Sequence, residues 1–156
     1  MAKLHIKAAS DFVKQLQKWE SQSGDIAKKA IYAGAGPIAD KLRAAMQVNL
    51  NDPSYLGYTG RADRKNIGYE PTGSMAANFG ITSISQDRSG NWNAHVGWDD
   101  YDPNGKANQL KANVMESGSS KQKPRPFVKP TVAAMKARTE KLMGQIVETE
   151  IKKIVK

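Results

Sequence analysis

Apolar positions keep a helical period at both ends of the chain and switch to strict alternation once, in the middle. The first helical stretch runs from Ser10 to Glu20, with Phe12, Leu16 and Trp19 on one stripe and Ser10 placed as an N-cap. The run Ser21-Gln22-Ser23-Gly24 interrupts the pattern, so residues 1–24 read as an N-terminal helical extension. A second helix is expected from a capping Asp25 to Val48, with Ile26, Ala30, Ala33, Ile38, Leu42 and Met46 as its apolar stripe. Pro37 falls mid-helix. It removes a backbone donor and crowds the carbonyl one turn back, which predicts a kink.

Residues 51–74 follow no period and hold two prolines, four glycines and three tyrosines. A loop this long in a compact domain predicts an arm that orders on a partner or a local cover over the chain's own sheet. Two strands come next, Asn78–Gln86 and Asn91–Trp98, joined by a turn with Gly90 free to take positive φ. In the second strand Trp92, Ala94, Val96 and Trp98 share one face. A lone hairpin is marginal in water, so the amphipathic helices are expected to cover the tryptophan face. A short helix is predicted from Lys106 to Glu116, and a long one from Pro130 nearly to Lys156, with Gly144 as a point of bending or splitting. The expected fold class is α+β in one domain of 156 residues: a small antiparallel sheet packed against a long kinked N-terminal helix and a long C-terminal helix.

Charge alters this picture by its placement. Residues 1–50 carry 8 basic and 4 acidic side chains, residues 51–120 carry 6 and 8, and residues 121–156 carry 10 and 3. The strongly basic C-terminal segment suits an acidic partner, either nucleic acid or the acidic face of a neighbouring subunit, or forms a solvated helix face. With no cysteine, disulfides, thiolate catalysis and cysteine zinc sites are excluded. The N-terminal residues "MAKLHIKAASDF" lack the pattern of a signal peptide, and no run is long and apolar enough to span a bilayer.

Candidate chemistry is sparse. Asp100, Asp102, Asn104 and Gly105 match the start of a calcium loop, but its twelfth position is Lys111 where a bidentate Glu belongs. Asp-Pro-Asn-Gly is also a turn sequence in its own right. His5 and His95 have no partners that suggest a triad, and no phosphate-binding loop is present. No enzyme, metal or cofactor is therefore expected. Lys121, Lys123, Arg125, Lys129, Lys136, Arg138 and Lys141 cluster around one joint and one helix end, which supports sequence-independent phosphate attraction as a second reading.

The order of elements carries a resemblance. A helical N-terminal half leads to Thr72, Gly73 and Met75. The second strand ends on Val96 and Gly97, and Glu116, Gly118 and Ser119 precede Arg125, Pro126, Phe127 and Pro130. Over about residues 25–155 this resembles the head–tail joining or tail-completion (neck) proteins of long-tailed bacteriophages. The chain departs from that pattern in its long loop at 51–72 and in an insertion at 99–109. The resemblance implies a non-enzymatic virion protein, made in the bacterial cytoplasm, that assembles into a homo-oligomeric, hexameric ring. Its implied partners are the head connector and the tail-tube or tail-terminator proteins, with DNA passing through the lumen and no membrane involved. Glu116, Gly118, Arg125, Pro126, Phe127 and Pro130 are then a scaffold motif, with Phe127 an anchor between sheet and helix. Arg125 is placed to pair with Glu116, within the domain or across a subunit boundary. Tyr55, Tyr58, Arg61, Arg64, Lys65, Tyr69, Lys121 and Lys123 are the candidate subunit or partner interface.

Overall fold

The computed structural model describes residues 7–52, 73–120 and 123–155. Helix α1 runs unbroken over Lys7–Asn51, so the two predicted N-terminal helices are one. The reason lies in the supposed breaker. The Ser21 and Ser23 hydroxyls donate back to the Lys18 and Glu20 carbonyls at 2.9 Å, a bond that a serine inside a helix can make. Asp25 is not a cap but sits within the helix, 3.6 Å from Lys28. Gly24 is there for close approach: a Cβ on it would lie 3.2 Å from the Trp92 ring. Pro37 lies inside α1 and gives the Ala33 carbonyl no helical donor.

A one-turn helix α2 (Ser74–Ala77) leads into strand β1 (Phe79–Ile81), then β2 (Ser85–Gln86), β3 (Trp92–Asn93) and β4 (Val96–Trp98). The predicted hairpin is present, but its ladder is split. β1 pairs with β4 through Phe79↔Trp98, Gly80↔Gly97 and Ile81↔Val96. β2 pairs with β3 through Ser85↔Asn93 and Gln86↔Trp92. Between them three residues face two, which is the count of a β-bulge. Thr82 stitches the gap: its N–H donates to the His95 carbonyl at 2.8 Å and its hydroxyl accepts from the His95 N–H at 2.9 Å. The turn is closed by Asp87, whose carboxylate accepts the Ser89 and Asn91 N–H groups, with Gly90 at φ 83°.

Helix α3 (Asn108–Ser117) and helix α4 (Val128–Val155) complete the chain. Pro130 is the third residue of α4, not its first, and α4 passes through Gly144 without a break. The tryptophan face turns towards α1, as the alternation predicts. The Trp98 indole N–H reaches Met46 Sδ at 3.3 Å, and the Lys28 ammonium sits 4.6 Å from the centre of the Trp92 ring. The core gathers at the C-terminal end of α1, where Ala39, Leu42 and Met46 meet Met75, Phe79, Ala112, Met115 and Phe127. Trp98 bridges them, tilted on Phe79 at 5.0 Å and edge-on to Phe127 at 5.8 Å.

Towards the other end of α1, α4 packs along it, and Trp92 of β3 meets it at Gly24 and Lys28. A Cβ on Gly34 would lie 2.7 Å from Met143 Sδ and 3.0 Å from Thr139 Cγ2, so the two helices approach over a bare backbone. Gly144, by contrast, has nothing within 4 Å of a Cβ. Gly144→Ala is expected to raise stability by about 1 kcal/mol through helix propensity. Gly34→Ala gains the same propensity term but must displace Met143, and a net loss of about 1 kcal/mol is expected. Parallel urea titrations check the opposite signs.

Candidate functional site

The residues of the family-like motif converge on the joint between α3 and α4. Glu116, in the last turn of α3, reaches across to the start of α4. Its Oε2 accepts the N–H of Phe127 at 2.7 Å and of Val128 at 2.8 Å, and Oε1 accepts that of Lys129 at 3.0 Å. These are donors that a helix start leaves without an internal partner. A carboxylate at that end also opposes the positive pole of the helix. Burial pushes the Glu116 carboxyl up, but the Lys129, Val128 and Phe127 N–H groups outweigh it and hold the group below its ordinary value. Glu116 is thus the cap of α4, supplied from a different helix.

Of the two pairings expected between Arg125 and Glu116, the one within the domain is not made: inside the chain Arg125 turns to another acid. Arg125 Nη1 donates to Asp52 at 3.0 Å, tying the joint to the end of α1. The Arg125 N–H donates to the Met115 carbonyl at 2.7 Å, and its carbonyl accepts from Asn49 at 3.5 Å. Gly118 ends α3 with φ 77° and ψ −178°, a conformation essentially reserved for glycine, while its N–H bonds the Val114 carbonyl at 2.8 Å. Phe127 is buried against Trp98, whereas Pro126 and Pro130 are exposed. Of the interface candidates, Lys123 is exposed. Tyr55, Tyr58, Arg61, Arg64, Lys65, Tyr69 and Lys121 lie outside the described residues.

The calcium-like loop closes on an internal cation. The Lys111 ammonium lies 2.6 Å from Asp102 Oδ2, and Asp102 Oδ1 accepts the N–H groups of Asn104 and Lys106. The Lys111 contact first, and the Lys106 N–H next, hold the Asp102 carboxyl below its ordinary value. Asp102 is buried, so the loop's central acid is already matched by a charge of the chain itself. Among the described residues no group of three metal-ligating side chains is gathered, and no helix is long and apolar enough to cross a membrane.

Asn108 is the residue that sequence reasoning missed. It has no exposed surface. Its amide donates to the Asp99 carbonyl at 3.0 Å and to that of Asp100 at 3.2 Å, and its oxygen accepts from Ser74 at 3.1 Å. It therefore pins the 99–107 loop, where Asp100 adopts φ 61°, to α2 and α3. Its only sequence signal was an asparagine following a turn at a helix start.

At the far end of the helix pair, Glu150 of α4 accepts from Lys29 of α1 at 2.8 Å and also pairs with Lys153. Lys153 first, then Lys29, lower its carboxyl to about 2. A depressed carboxylate stabilises the fold above its unfolded value, about 4.3, and that contribution is lost as pH falls through the folded value. Glu150→Gln is expected to flatten the fall in melting temperature between about pH 4 and pH 2, checked by calorimetry across that window.

Comparison with protein-family models, with curated proteins and with solved structures found no match.

Proposed function

We propose that this chain is a structural component of a phage neck, a ring-forming protein that completes the tail or joins it to the head connector around the DNA path. The observation that carries the reading is the joint. Glu116, Gly118, Arg125 and Phe127, residues of the motif that resembles one in neck proteins, each make a specific contact or turn that fixes where α4 leaves the sheet. Such a device sets an angle and performs no chemistry. It suits a subunit whose work is to present surfaces at a fixed orientation to its neighbours. The test is mass and negative-stain imaging of the full chain, alone and mixed with head-connector and tail-tube proteins. Closed rings in either case are expected. Absence of rings and of any complex in the mixtures overturns the reading.

One observation favours a second reading, a sequence-independent nucleic-acid binder. Lys129, Lys136, Arg138 and Lys141 are all exposed on the first half of α4. A binder of that kind loses affinity for duplex DNA linearly in log salt, with a slope close to the number of phosphates neutralised. No aromatic side chain is interleaved among these cations for stacking on bases. A lumen that releases DNA needs weak attraction, so we expect a slope of small magnitude for the isolated chain.

A further inference from the structure

The loop that leads into α3 holds Asn104 and Gly105, the one Asn-Gly pair in the sequence. An asparagine carboxamide is open to attack by the backbone nitrogen of the next residue. Two conditions govern that reaction. The carboxamide must be free to swing, and the next residue must not crowd it. The structure sorts the asparagines on the first condition. Asn108 is buried and its amide donates to two carbonyls. The Asn78 amide donates to Ser74, that of Asn91 to Asp87 and that of Asn49 to the Arg125 carbonyl. The sequence sorts them on the second, because every asparagine except Asn104 precedes a residue with a side chain. Asn104 is exposed, and among the described residues its side chain makes no hydrogen bond, only its backbone N–H being held by Asp102 Oδ1 at 2.9 Å. Gly105 follows at φ 74°, and a Cβ there would meet nothing within 4 Å, so the space a ring needs is open.

We propose that Asn104 is a site of spontaneous modification, converted through a cyclic imide into aspartate and its β-linked isomer. The Gly105 nitrogen gives its proton to hydroxide and bonds to Asn104 Cγ. The Cγ–Nδ2 bond breaks, and the departing nitrogen takes a proton from water to leave as ammonia, which regenerates the hydroxide. The five-membered imide then takes up one water. Opening at Cγ restores the chain as aspartate. Opening at the main-chain carbonyl leaves the chain running through Cγ as isoaspartate. In sum one water is consumed and one ammonia released, with nothing oxidised or reduced.

The turn sets the pace. The Gly105 N–H donates to the Asp102 carbonyl at 2.9 Å, and ring closure must give up that bond. Asp102 Oδ1 also holds the Asn104 and Lys106 N–H groups, and Lys111 in turn holds Asp102. The native turn is therefore slower than the unfolded chain. It is not inert, because Gly105 is exposed and water replaces the bond that is lost. Either product takes one unit from the net charge of +9 and adds a carboxylate to a loop that already carries Asp99, Asp100 and Asp102. Isoaspartate also lengthens the backbone between the two N–H groups that share Asp102 Oδ1, which loosens that grip. The loop thus carries a record of the chain's age. Nothing in this chemistry depends on the neck reading, and either can fail alone.

The experiment holds the full chain in mildly alkaline buffer made with heavy-oxygen water and maps its peptides by mass spectrometry over time. The Asn104 peptide is expected to gain one labelled oxygen about tenfold faster than any other asparagine, a barrier difference of about 1.4 kcal/mol. It is expected to resolve into two products of equal mass, and to form faster as pH rises. Asn104→Gln, which closes only to a slower six-membered ring, is expected to stop labelling at this position and leave the melting temperature unchanged. An unlabelled Asn104 in the folded chain when the urea-unfolded chain is labelled, a different asparagine labelled first, or unchanged ammonia release from Asn104→Gln each overturns the proposal.

Discussion

Glu116→Ala is expected to lower stability by about 3 kcal/mol, seen as an earlier urea midpoint with an unchanged slope. Loss of a side-chain cap alone costs about 1–2 kcal/mol. Here the cap is ionised, and hydrogen bonds to charged groups are about twice as strong as neutral ones. Three backbone donors lose their acceptor together, those of Phe127, Val128 and Lys129. The Phe127 side chain is buried, so its backbone has little water to turn to. Glu116→Gln keeps one acceptor oxygen and no charge, and about half the loss is expected. Because the native carboxyl is depressed, its contribution is present above the unfolded value and fades as pH falls below about 4. The Ala and wild-type curves should therefore converge in acid. Curves that stay parallel to pH 2 would show that charge plays no part in the cap.

The second large effect is expected at Asn108. Asn108→Ala leaves the Asp99 and Asp100 carbonyls without their side-chain donor and opens a gap where no surface is exposed. Unsatisfied buried groups cost about 1–3 kcal/mol, and a total near 3 kcal/mol is expected. Asn108→Asp is the sharper variant. It is nearly isosteric but turns an acceptor oxygen towards two carbonyls, so it should be worse than alanine despite better packing. Thermal unfolding of the three proteins at neutral pH gives the ranking. If aspartate is tolerated better than alanine, the amide is there for volume and the loop is held by Lys111 and Asp102.

Much of the fold was legible because periodicity reports burial directly. The alternation Trp92, Ala94, Val96, Trp98 put both tryptophans on the α1 side, and Gly90 supplied the positive φ of the turn. The errors have a common cause. Ser21, Ser23 and Gly24 have turn chemistry by composition, yet the serines bond back into α1 and the glycine makes room for Trp92. A glycine required by a neighbour looks the same in sequence as one that ends a helix. The bulge between the two ladders was invisible because it depends on Thr82 finding His95 across the strands. Glu116 was singled out, but within the chain its partners are backbone N–H groups and not Arg125. Backbone N–H groups carry no sequence signature, so a cap supplied from another helix is legible only in three dimensions.

The split hairpin also bears on how this chain behaves when crowded. An unpaired strand edge is a template for aggregation, and its danger grows with the length over which it keeps one rhythm. Among the described residues no ladder runs more than three residues before the count shifts by one. A foreign strand that begins to add beside β1 would find its side chains on the wrong face by the time it reached β2. The register shift thus works against strand addition along this hairpin through backbone geometry.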